Sequence, residues 1–311
     1  MNELLNLGGW HFEKNKFEKV CQDAGYLVDV APWIKDSGEG KTVVLWKAVK
    51  ELTGNYFAYK PQTRGTCVGR AGGRSGDILK AIEYLRSNAR CDEFKKVSSE
   101  AVYALARVEI GGGRIRGDGA VVSDAIEAVR RYGFIERGKH VINGQEFTIP
   151  PEDDDSLAVA WGSPRNGLPD PLEKIAAEHR VQQYAVIRNY EDARDAIANG
   201  FVVWFGTSVA FWWSLPAKRD RNGFLRRKGR TAHSWIAVGV NDDNQKPGIL
   251  LDNKSWGDDW VTGPKGQIDI PDGCYWCTPE DFNALVKAGE AFAISNAGFA
   301  PIGNERRYVL L

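Results

Sequence analysis

The sequence of 311 residues predicts an α+β chain of two unlike lobes, helical first and strand-rich afterwards. Helical spacing of apolar residues dominates from residue 67 to about 132. Short apolar runs of strand length dominate from 184 to 270, and a Pro-rich, acidic stretch at 150–171 separates the two. The expected organisation is an N-terminal extension over residues 1–58, a helical lobe over 59–165 and a β-rich lobe over 166–311.

Taken in order, residues 1–58 mix short helical patterns with turns. The stretch 35–42 (KDSGEGKT) ends like a phosphate-binding loop, but Lys35 stands where the first glycine belongs, so it reads as a turn. From Cys67 to about Arg90, Ile78, Leu79, Ile82 and Leu85 recur at helical spacing. Gly69, Gly72, Gly73 and Gly76 are costly in that helix. Either another backbone packs closely on the glycine face, or the helix breaks near Gly72-Gly73. Ser98-Ser99-Glu100 is a capping pattern for a helix reaching about Arg107, and a third helix runs from Val122 to Tyr132 and closes at Gly133. The RGD triplet at 116–118 reads as turn chemistry. Further on, strands are expected at 184–187, 201–205, 234–240, 249–252 and 267–270, with a helix at 191–199.

Lys and Arg (41) balance Asp and Glu (41), so no global field favours nucleic acid or a membrane surface. Apolar runs such as 201–205 fall far short of the ~20 residues of a membrane span. Residues 1–12 lack the basic start and apolar run of a secretory signal. Five cysteines form an odd, sparse set. They argue for a reducing compartment such as the cytoplasm; that the protein is encoded by a bacterium, virus or phage is a separate expectation. Cys274 and Cys277 follow a turn and have no second ligand pair, so they read as structural or locally cross-linked, with no metal expected. Seven basic residues and one acidic residue lie between Lys218 and Arg230. That loop either rims a cleft and attracts an acidic partner, against which Glu152–Asp155 could also dock, or forms a solvated hairpin tip.

Three segments carry the chemistry. Cys67 ends Gln62-Thr63-Arg64-Gly65-Thr66-Cys67 at a loop-to-helix junction, where unpaired amides and the helix dipole favour a thiolate. Its own N–H and the upstream Gln62 could stabilise an oxyanion. His233 opens an apolar strand (Ser234-Trp235-Ile236-Ala237-Val238) and can project from the strand end. Asp252-Asn253 ends another strand ahead of Lys254-Ser255-Trp256-Gly257, where an amide or carboxylate could orient an imidazole. Alone, each has an ordinary structural explanation: a buried thiol, a satisfied histidine, a strand-end turn.

Together and in this order, the segments resemble the papain-like cysteine peptidases, the family of papain and the cathepsins. Gln62, Gly65-Thr66-Cys67, His233-Ser234-Trp235-Ile236-Ala237-Val238-Gly239 and Asn253-Lys254-Ser255-Trp256-Gly257-Asp258-Asp259-Trp260 carry the likeness. Val97-Ser98-Ser99-Glu100, Gly117-Asp118-Gly119-Ala120 and Val181–Tyr190 with Ala196–Gly200 are weaker correspondences, and the whole spans roughly residues 56–270. The resemblance implies a papain-like two-lobed fold, a helical lobe and an antiparallel β-barrel-like lobe with a cleft between them that takes a peptide or protein substrate. It implies Cys67 as nucleophile, His233 as base, Asn253 as its orienting partner, Gln62 in the oxyanion hole and Trp256 shielding the Asn–His bond, with no cofactor. Three departures are visible. Gln62 stands five residues before Cys67 instead of six, Lys254 occupies the family's Asn position in an ungapped alignment, and residues 1–55 do not resemble the usual inhibitory propeptide. Asn253 fits the chemistry better than Lys254 and needs a local turn or bulge of one residue. Two other readings share the residue order: a catalytically impaired papain-like scaffold serving as a structural or binding subunit, and another Cys-His amidase such as a cell-wall peptide hydrolase or a transglutaminase-like enzyme. The Trp-Gly-x-x-Trp segment favours the papain-like reading over the last.

Overall fold

The computed structural model describes residues 7–26, 34, 36–88, 91, 93–243, 245–266 and 268–299. Its first part holds α1 (Lys14–Ala24), β1 (Thr42–Val44), α2 (Trp46–Thr53), α3 (Cys67–Ser87), α4 (Ser99–Leu105) and α5 (Val122–Arg131), then a hairpin of β2 (Gly138–Ile142) and β3 (Gln145–Ile149). Two short helices follow, α6 (Asp155–Trp161) and α7 (Asp170–Ala176). The second part holds β4 (Gln183–Val186), α8 (Tyr190–Ala198), β5 (Val202–Val209), β6 (Ala217–Lys218), β7 (Arg230–Asn241), β8 (Gly248–Asp252), β9 (Val261–Thr262), β10 (Cys274–Cys277), α9 (Pro279–Lys287) and β11 (Gly289–Ser295).

α3 is the axis of the molecule and is unbroken through its glycines. It packs against α2, α4 and α5 on one side and against β5 and β7 on the other. A Cβ on Gly69 would stand 2.5 Å from the Ser99 carbonyl oxygen and 2.6 Å from the Tyr103 Cβ; one on Gly73 would stand 3.2 Å from the Ser99 Cα. The start of α4 therefore lies directly on the glycine face, and this close approach offsets the poor helix propensity of that face. Gly69→Ala is expected to lose about 1–3 kcal/mol through overpacking. A urea midpoint equal to or above that of the parent protein would instead show that the gain in propensity wins. Ser98 caps α4 by accepting the Ala101 N–H at 3.1 Å, and the chain continues into a π-helical turn at Ala106–Ile110.

Much of the 150–171 stretch expected as an inter-domain connection is ordered, because α6 folds there against α4 and α7 begins at Asp170. Its acidic run does not reach the basic loop. Glu152 pairs with Lys96, Asp153 with Arg70 and Arg137, Asp154 caps α6, and Asp155 pairs with Arg70. Buried guanidinium partners, which are distant in sequence, draw this run inward.

The main sheet has the order β10-β8-β7-β5-β11-β4 and is antiparallel, with β1 added on β7. The twelve-residue β7 is its hub, pairing with β5, β8 and β1. Of the expected strand at 267–270, Gln267 lies outside the described residues and 268–270 form none, although Ile270 is buried. Its apolar pair packs into the core without a strand neighbour.

Candidate active site

Cys67 is the first residue of α3 and is fully buried. The loop before it is fastened from behind. Asp155 accepts the Thr63 N–H at 2.6 Å, the Thr66 hydroxyl at 2.5 Å and Arg70 Nη2 at 2.9 Å, while Asp118 accepts Arg64 Nε at 2.7 Å and the Gly65 N–H at 3.3 Å. The backbone amides of Ser234 and Val68 lie where they favour the Cys67 thiolate. This sets it beside the segment of β7 that carries His233.

His233, also fully buried, pairs across the sheet with Thr207. Its Nε2 lies 2.7 Å from Asn253 Oδ1, and its Nδ1 is buried without a hydrogen-bond partner. Asn253 reaches it because the chain leaves β8 at Asp252 and turns at once (φ −113°, ψ 44°) into a 3-10 turn at Lys254–Trp256. The same turn points Lys254 away, onto the Asp258 carboxylate and the Asp272 carbonyl. The Trp256 ring lies 4.8 Å from the imidazole and the Trp235 ring 5.2 Å, with Trp212 and Trp260 packed behind Trp256. Four of the eleven tryptophans thus form an aromatic wall beside one histidine.

Gln62 is buried nearby, with its backbone N–H on the Ser255 carbonyl. Its side-chain Nε2 donates to the Arg64 carbonyl at 3.0 Å, and its Oε1 has no partner. The donor expected for an oxyanion therefore carries an internal bond, in keeping with the loop that is one residue short. Sequence reasoning missed Arg74. Two helical turns below Cys67 and buried, it lies 3.2 Å from an Asp252 oxygen and donates to the Ser255 hydroxyl at 3.1 Å, bracing the turn that presents Asn253. Its only signal was a basic residue on a glycine-rich helix face.

Burial governs the protonation of both central groups. It pushes the Cys67 thiol up to about 12, against the lowering effect of the Ser234 and Val68 amides and of Arg74. It pushes His233 down to about 3, with Arg74 adding to the effect and Asn253 opposing it. Near neutral pH this arrangement holds a neutral thiol and a neutral imidazole.

The cover that buries them is the chain itself. Gly9 and Trp10 donate their N–H groups to the Ala232 carbonyl at 2.9 and 3.1 Å; Ala120 donates to the Gly9 carbonyl and His11 to that of Ala120. Residues 9–11 thus bridge the loop before α5 and the strand of His233. A Cβ on Gly9 would stand 2.5 Å from the Gly65 carbonyl oxygen and 2.8 Å from the Cys67 sulfur, so only glycine fits over the thiol. The sequence marked this segment only by Gly8-Gly9 before a Trp.

Within the basic loop, Arg219 is buried on the carbonyls of Gly263, Pro264 and Cys274, and Arg226 and Arg227 pair with Asp281. Of these three, only Arg219 is buried; the other two side chains are exposed. Cys274 and Cys277 are buried free thiols on β10.

No family model matches the sequence, and no curated protein does. Solved structures do match. Xylellain, a cysteine protease from Xylella fastidiosa, superposes with a TM-score of 0.53 at 18% identity, covering 94% of this chain and 92% of that one. The chain has the papain-like fold. A structure from work on the mite allergens Blo t 1 and Der p 1 superposes on it with a TM-score of 0.55 at 15% identity, over 94% of this chain and 81% of the other. The proform of the ragweed pollen cysteine protease Amb a 11 gives 0.51 at 15% identity, over 95% and 79%. At these identities the likeness is one of fold.

Proposed function

We propose that the chain is a papain-like cysteine peptidase, held here in a closed state by its own residues 8–11. The observation that carries the reading is the polarity of His233. Asn253 Oδ1 can only accept, so Nε2 bears the proton and Nδ1 keeps its lone pair, buried and unpartnered. In the opened site Nδ1 takes the Cys67 proton and the thiolate attacks an amide carbonyl carbon, giving a tetrahedral oxyanion held by the Cys67 N–H. The imidazolium then protonates the leaving amine as the C–N bond breaks, and water hydrolyses the thioester. Gln62 joins the oxyanion hole if its amide turns off the Arg64 carbonyl. Trp256 keeps water from the Asn253–His233 bond. The substrate is a peptide segment that takes the place of residues 8–11.

The experiment is hydrolysis of a fluorogenic peptide panel by the full chain. Asn253→Ala should lower kcat/KM by about tenfold or more, and Lys254→Ala should do far less. The reverse order would contradict the assignment of Asn253. The inward-turned Gln62 favours a second reading, a scaffold without turnover. That reading predicts a reactive Cys67 in an opened variant that hydrolyses none of the panel.

A further inference from the structure

We propose that the segment between β5 and β7 is a docking surface for an acidic polypeptide, a run of carboxylates that contains an apolar side chain. The surface is separate from the chemistry at Cys67. Under the peptidase reading, on which this last step rests, it selects the protein that reaches the cleft.

Three observations carry it. The first is charge without compensation. Lys218, Arg221, Arg226, Arg227, Lys228 and Arg230 are all exposed. Arg226 and Arg227 share one buried carboxylate, Asp281, at 3.4 and 3.7 Å. Asp220 shapes the turn, its Oδ1 accepting the N–H groups of Asn222 and Phe224. Lys218, Arg221, Lys228 and Arg230 have no acidic partner among the described residues. Basic and acidic residues balance over the whole chain, 41 against 41, so this is a local excess that repels itself until an anion binds.

The second is that the segment is fastened to the sheet lobe and is not a loose hairpin tip. β6 pairs with β9, and Arg219 is clamped on the carbonyls of Gly263, Pro264 and Cys274. Leu225 donates its N–H to the Trp276 carbonyl, Trp276 to that of Gly223, and Lys228 to that of Ala210. The cations therefore stand on a preformed surface, which lowers the ordering cost of binding.

The third is Trp213, at 72% the most exposed large apolar side chain among the described residues. Phe211 bridges to Lys228, and a Cβ on Gly229 would stand 2.6 Å from the Trp212 carbonyl oxygen, so Trp213 borders the cations. An indole beside unpaired cations suits a partner that is charged and apolar by turns. Register places this end of the surface next to the candidate site. Arg230 pairs with Val209 where His233 pairs with Thr207, and the Trp212 ring lies 4.6 Å from that of Trp256. A polypeptide bound here can continue into the cleft, which favours it over nucleic acid or a bilayer as the occupant.

The test is fluorescence anisotropy of a labelled peptide with one leucine inside a run of glutamates, added to the full chain. The peptide should bind, more weakly as salt rises. Lys228→Glu with Arg230→Glu should weaken binding by about tenfold or more. Replacing the leucine by serine should weaken binding to the parent protein several-fold and make no difference in Trp213→Ala. No binding by the parent, equal binding by the charge-reversed variant, or a leucine preference that persists in Trp213→Ala overturns the proposal. So does tighter binding of single-stranded oligothymidylate or of phosphatidylglycerol vesicles, which would assign the surface to nucleic acid or to a membrane. Peptide binding by a protein that hydrolyses no acidic substrate keeps the surface and removes the peptidase reading; hydrolysis without such binding removes the surface alone.

Discussion

Trp10→Ala in the full chain is expected to speed iodoacetamide labelling of Cys67 by about a hundredfold near neutral pH. Removing a buried aromatic side chain typically costs 3–5 kcal/mol, and here the loss falls on the docking of residues 8–11 and not on the core of either lobe. A shift of about 3 kcal/mol in a closed-to-open equilibrium changes the open population by about two decades. Labelling read by peptide mass spectrometry carries its own reference, because Cys274 and Cys277 are buried on β10 and make no recorded bond to the cover, and they should not respond. An unchanged Cys67 rate beside unchanged Cys274 and Cys277 rates would show that Trp10 does not hold the cover down.

Peptide hydrolysis by that opened variant should fall by about a thousandfold when His233 is also replaced by Ala. Positioned acid–base catalysis contributes about 10²–10⁴, and His233 supplies both the base for the thiol and the acid for the leaving amine. The fall should appear in kcat more than in KM, because the imidazole touches the reacting atoms and not the body of the substrate. A His233→Ala variant that retained turnover within tenfold would place the base elsewhere.

How much of this was legible in the sequence depended on how local each cause is. The start of α3 at Cys67 and the cap at Ser98 follow from short-range patterning and are placed as read, whereas the strand expected after His233 begins earlier, at Arg230, so the histidine lies inside β7 and not at its end. The choice between Asn253 and Lys254 was decided by chemistry, since alignment alone favoured the lysine; the 3-10 turn at Lys254–Trp256 supplies the required shift of one residue. The alternatives for the glycine face of α3 could not be separated without knowing that Ser99 of α4 lies on it. The acidic run at 152–155 read as part of a connection that could dock on the basic loop, because Arg70 and Arg137, which pair with Asp153 and Asp155, are remote in sequence. The same holds for residues 9–11. Their backbone bonds reach Ala120 and Ala232, and no pattern within the first dozen residues announces either partner.

The central claim is that Cys67 and His233 form a working pair once the cover leaves, and the pH profile of Cys67 alkylation tests it most directly. In the closed protein burial sets the thiol at about 12 and the imidazole at about 3, so labelling should be slow and rise only toward alkaline pH as thiolate appears. In Trp10→Ala the profile should gain a plateau extending to about pH 6, where an imidazolium stabilises the thiolate, and adding His233→Ala should erase that plateau. Profiles for Trp10→Ala that coincide with and without His233 would contradict the account.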